Sequence, residues 1–168
     1  MTMTVTTTEK VQKESATLKR LFGWLFGIGA FLIFSEIAYM PLKAVILTAG
    51  TAAGRGAVDD LAETILASLP ALALLGAVWQ ARRVFGGFAG GEILSVEAGK
   101  ALTRLGDWLV ASTVLSIFFG PAGGRADIVF GLNLSAIIML GSVGLAIRLI
   151  GRVVEMAAAI KSDHDQIV

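Results

Sequence analysis

The sequence predicts an all-α membrane protein, four transmembrane helices in a bundle with both termini in the cytoplasm. Three observations carry that expectation. Hydrophobic residues make up 55% of the 168-residue chain and its mean hydropathy is +0.78, above the roughly 45–50% apolar content of soluble domains. Four apolar runs approach the roughly 20 residues that cross a hydrocarbon core as a helix. The Lys and Arg residues then fall unevenly between the two sets of connections.

The first run, residues 21–40, is uncharged until Glu36. It follows a threonine-rich polar segment, and residues 1–17 read as a short N-terminal tail. A secretory signal would place a shorter apolar region earlier, before a small-residue cleavage site, so this run reads as a retained span. The second run, 64–81, lies between Glu63 and Arg82 and contains Pro70; membrane helices tolerate such a bend when neighbours satisfy the freed backbone. The third, 105–122, has Asp107 near its start. The fourth, 128–147, is uncharged and its helical pattern continues past Arg148 to about Lys161, leaving 162–168 as an acidic tail. In lipid every backbone polar group must be satisfied within the segment, so isolated spans of this kind are helices.

Orientation follows from the cations. With the N-terminus inside, the cytoplasmic segments hold Lys10, Lys13, Lys19, Arg20, Arg82, Arg83, Lys100, Arg104, Arg148, Arg152 and Lys161. The opposite side holds Lys43, Arg55 and Arg125. An excess of Lys and Arg marks the cytoplasmic side. The long external connection, 41–63, begins with an apolar stretch too short to cross; it reads as an interfacial helix, a re-entrant segment or a lid. The second external link, GPAGGRAD, reads as a tight turn, with Asp127 at the start of the fourth helix.

The absence of cysteine and the single histidine, His164, exclude disulfides and thiolate metal sites and argue against a histidine-rich metal or haem site. No cofactor is expected. A net charge of +1 gives no reason to expect direct nucleic-acid binding. There is no serine elbow, HExxH or phosphate-loop pattern, so the chain does not read as an enzyme.

Ionisable groups in spans are functional candidates by default. Glu36, Asp107 and Arg148 qualify, all near span ends. Asp107 and Arg148 fall at similar depth on one side, which suggests an ion pair between the third and fourth helices; two side chains snorkelling to head groups is the alternative. Ser112, Thr113, Ser116, Asn133, Ser135 and Ser142 are candidates for bonds across helices. Gly23 with Gly27, and Ser142 with Ala146, show the small-xxx-small spacing of close helix packing, within one chain or in a homo-oligomer.

Residues 82–107, RRVFGGFAGGEILSVEAGKALTRLGD, form the longest polar interruption. Arg82 and Arg83 anchor the end of the second span to anionic head groups. Phe85 and Phe88 dip into the interface, and Gly86, Gly87, Gly90 and Gly91 permit turns. Ser95 caps a new helix with Glu97 near its positive end, so the third helix begins in the interface and enters the bilayer near Asp107.

The run from Phe85 through Phe88, Gly91, Glu92, Ser95 and Glu97, followed by Leu102-x-Arg104-Leu-Gly106, resembles the hallmark of the DUF2975 family of small bacterial four-span membrane proteins. The ending EMAAAIKSDHDQIV, with Glu155, Asp165 and Val168, is similar to that family's amphipathic helix and acidic tail. Ala98 and Asp163-His164-Asp165 depart from the pattern. The resemblance implies a bacterial inner-membrane protein, often encoded beside a small helix-turn-helix regulator, and brings no catalytic residues. Phe85, Phe88, Gly91, Glu92, Ser95, Glu97, Arg104, Glu155, Asp165 and Val168 thus form a candidate cytoplasmic interaction surface. The expected role is a membrane-anchored regulatory partner of such a DNA-binding regulator. The alternative is a small transporter or immunity-type protein.

Overall fold

The computed structural model describes residues 2–51, 53–91, 95–119 and 127–165. All regular structure among them is helical: α1 (Thr2–Ile37), a π-helical turn (Ala38–Leu42), α2 (Lys43–Thr48), α3 (Ala53–Ala89), α4 (Val96–Phe119) and α5 (Asp127–Asp165). Four of these helices are long and apolar enough to cross a membrane. The 37 residues of α3 extend about 55 Å at 1.5 Å per residue, well beyond a hydrocarbon core of about 30 Å.

Helix also extends through three segments that read as polar in the sequence. The N-terminal segment is helical from Thr2, continuous with the first span. The 41–63 connection is mostly helix: Pro41 sits in the π turn, α2 follows, and a turn at Gly50 (φ +84°) leads into α3. Proline lacks the N–H that an α-helical turn would use, and the wider turn at Ala38–Leu42 accommodates it. The first part of 82–107 is also helix. Gly86 and Gly87 lie inside α3, and the turn forms at Gly90–Gly91, where Gly91 has φ +87° and its N–H donates to the Phe88 carbonyl at 3.1 Å.

The long helices pack in chain order, α1 on α3, α3 on α4, and α4 on α5, and among the described residues α1 does not touch α4 or α5, nor α3 touch α5. The expected bundle therefore takes the form of an open row. Neighbours are antiparallel, since contacts step down one helix as they step up the next: Phe26 meets Trp79 and Phe22 meets Phe85. In the same way Gly76 lies beneath the Trp108 indole while Ser112 reaches Pro70. The beginning of α1, the α3–α4 turn and the end of α5 consequently share one end of the row, here called the basic end.

An open row buries little. The accessible surface is 11921 Å², against about 7,900 Å² expected of a compact 17.5 kDa chain. Among the described residues the buried apolar ones are mostly alanines, Ala73, Ala77 and Ala81 on α3 among them, and no large side chain is fully buried. Trp24, Phe34 and Phe118 are 73%, 70% and 74% exposed. In water such surface would drive collapse or aggregation; against lipid tails it is the expected outer face, and small residues at the seams let helices approach without a hydrophobic drive.

Candidate functional site at the basic end

The seam between α4 and α5 sets the geometry of the basic end. It is built on glycines at seven-residue spacing, Gly99 and Gly106 on α4, Gly144 and Gly151 on α5. A Cβ at Gly106 would stand 2.6 Å from both the Arg148 nitrogen and the Gly144 oxygen, and one at Gly151 would stand 2.6 Å from Thr103 Oγ1. The two backbones are therefore in direct contact along the seam. This close approach brings Asp107 and Arg148 together, with Arg148 Nε 3.1 Å from Asp107 Oδ1 and both side chains partly exposed. It also lets Thr103 Oγ1 donate to Glu155 Oε1 at 3.1 Å, while Gly99 leaves room for the Glu155 side chain and backbone.

The described residues of the predicted surface divide among four places. Phe85 and Phe88 belong to the α1–α3 seam: Phe85 stacks on Phe22 with centroids 5.4 Å apart, and Phe88 meets Phe85 edge-on at 6.2 Å. Phe85 packs α3 against α1 and Phe88 packs on Phe85, where the sequence suggested side chains dipping into the interface. Ser95, Glu97 and Arg104 line a cleft of about 480 Å³ between α3 and α4, together with Gln80, Arg83 and Lys100. Ser95 caps α4, its Oγ accepting from the Ala98 N–H at 3.0 Å, and Glu97 occupies the first turn. Glu155 is partly covered against α4 and tied to Thr103. Gly91 forms the turn, beside Gln12 of α1. Glu92, Val168 and the side chain of Asp165 lie outside the described residues, as do those of Asp127 and Asn133 and the 120–126 link.

Of the candidate bonds across helices, Ser112 makes one: its Oγ donates to the Pro70 carbonyl at 2.9 Å, fixing α4 to α3. Thr113, Ser116 and Ser142 instead donate to Leu109, Ser112 and Ile138, four residues back in their own helices. A hydroxyl within reach of its own i−4 carbonyl satisfies itself locally without needing a neighbour. The small-residue pairs form no four-residue seam within the chain: Ser142 and Ala146 face outward, and Gly27 has nothing nearby, whereas Gly23 abuts Arg82 of α3. Sequence reasoning missed the glycine seam because it sought a four-residue spacing; the seven-residue spacing, two helical turns, was the available signal.

The basic end is electrostatically one-sided. The α3–α4 cleft presents Arg83, Lys100 and Arg104 against Glu97, and an α1–α3 cleft presents Lys19, Arg20 and Arg82 with no carboxylate. At the far end Glu36, Asp60 and Glu63 line one cleft between α1 and α3. Among the described residues no group of three or more His, Cys, Asp or Glu is arranged to hold a metal ion. Such an arrangement offers binding of anionic or mixed-charge partners through a fixed polar surface. No family model matches this chain, and neither a curated protein nor a solved structure is significantly similar to it.

Proposed function

We propose that the protein is a membrane-anchored regulatory partner of the DUF2975 type, set in a bacterial inner membrane with its basic end in the cytoplasm. There the start of α4, the α3–α4 turn and the end of α5 hold a small helix-turn-helix regulator. The observation that carries this reading is the union of two distant parts of the chain at one end. The Thr103–Glu155 bond and the glycine seam join the 82–107 segment to the ending of α5, and Ser95, Glu97 and Arg104 line a polar cleft beside them. The cation distribution supports the orientation. A transport path finds less support, because among the described residues of the long helices α1 packs on α3 alone and α5 on α4 alone, a row that encircles no channel.

The test is co-purification of the full-length protein, in mild detergent, with the regulator encoded beside it. Glu97→Gln combined with Arg104→Ala is expected to insert and purify normally while retaining little regulator. Unchanged retention refutes the surface; loss of insertion in the variant assigns these residues to architecture instead.

A further inference from the structure

Two cations at the basic end each lie across the neighbouring helix, with no counter-ion among the described residues. Lys19 of α1 lies across Gly86 of α3, so that a Cβ at Gly86 would be 3.6 Å from its Cε and 3.7 Å from its Nζ. Arg82 of α3 lies across Gly23 of α1 in the same manner, 3.6 Å from a Cβ there to Nε. Each helix thus lays its cation over the other's glycine. Arg82 is held further by the Trp79 ring, 5.1 Å from the guanidinium carbon to the centroid.

These groups open onto a cleft of about 500 Å³ shared with Arg20 and Trp24. The one ion pair among the described residues is Arg148–Asp107, on another seam, so Lys19, Arg20 and Arg82 have no described carboxylate partner. Like charges gathered beside low-dielectric surface repel one another unless an anion neutralises them. The exposed Trp24 indole marks the level at which aromatic rings favour the head-group region.

We propose that this α1–α3 cleft seats the head-group phosphate of an anionic phospholipid, with Lys19 and Arg82 as the fixed donors and Arg20 as the outer one. Guanidinium forks match phosphate oxygens and ammonium supplies a compact point charge; the lipid's chains lie along the exposed apolar face of α1 below Trp24. Basic pockets between membrane helices take such head groups. This inference stands apart from the regulatory proposal and needs only that the basic end lie at a membrane surface.

The experiment is native mass spectrometry of the full-length, delipidated protein in neutral detergent, titrated with equimolar phosphatidylglycerol and phosphatidylcholine. The wild-type protein is expected to retain phosphatidylglycerol at least about tenfold better, and the Lys19→Gln/Arg82→Gln variant to bind it about 25-fold more weakly, at roughly five-fold per cation. Lys43→Gln/Arg55→Gln at the far end leaves binding unchanged. Millimolar inorganic phosphate does not displace the lipid. Equal retention of the two lipids by wild type overturns the proposal whether or not the variant folds. So does undiminished binding in the double variant, or displacement by inorganic phosphate, which would make the cleft a free-phosphate site.

Discussion

Replacing Gly106 with alanine tests the α4–α5 seam with a single methyl group. The new Cβ would stand 2.6 Å from Arg148 N and Gly144 O and 2.7 Å from Arg148 Cβ. Ordinary contacts lie near 3.5–4.0 Å, so α5 has to retreat by roughly 1 Å, and the obstructing atoms are backbone that no rotamer change can move. Overpacking of this kind costs about 1–3 kcal/mol, occasionally more. Working the other way, alanine is favoured over glycine inside a helix by roughly 1 kcal/mol. Gly27→Ala isolates that second term, because nothing lies within 4 Å of a Cβ there. Gly106→Ala is therefore expected to unfold more easily than Gly27→Ala by about 1–3 kcal/mol. Reversible unfolding in mixed micelles, followed by circular dichroism, measures the difference. If Gly106→Ala proves as stable as Gly27→Ala, the direct backbone contact is refuted, and with it the geometry that joins Thr103 to Glu155.

Ser112→Ala removes the bond to the Pro70 carbonyl and is expected to cost about 0.6–2 kcal/mol in the same assay. Ser142→Ala, whose hydroxyl bonds only its own helix, is expected to fall near zero; equal effects would contradict the assignment. Asp107→Asn and Arg148→Gln, alone and together, are expected to give a coupling of no more than about 1 kcal/mol, because the two side chains are 49% and 39% exposed. A much larger coupling in that double-mutant cycle would mean the pair is desolvated by lipid.

How far the chain announced its own architecture differs by element. The spans were readable because a bilayer leaves the backbone no alternative to self-satisfied helices, and long uncharged runs are rare otherwise. Helix ends were not. Polar residues of the N-terminal segment and glycines such as Gly86 and Gly87 read as tail and loop, yet α1 and α3 extend through them side by side, with Lys19 lying over Gly86. Tertiary contact overrides the weak local preference of glycine against helix. Pro41 likewise lies within helical structure, in a single π turn. At the site, counting residues from span ends placed Asp107 and Arg148 at one depth, and the structure has them 3.1 Å apart. By contrast, no local pattern says that Phe85 turns toward Phe22 or that Lys19 and Arg82 cross between helices, since those contacts depend on which helix lies next to α3.

The regulatory proposal depends on the basic end facing the cytoplasm. The natural chain has no cysteine, so single cysteines can be introduced without background. Arg55→Cys, Lys100→Cys and Ser162→Cys each replace an exposed residue. Labelling with a membrane-impermeant maleimide, in intact cells and after lysis, reports the side on which each lies. The expected result is labelling at 55 in intact cells, and at 100 and 162 only after lysis; labelling at 100 or 162 in intact cells would contradict it.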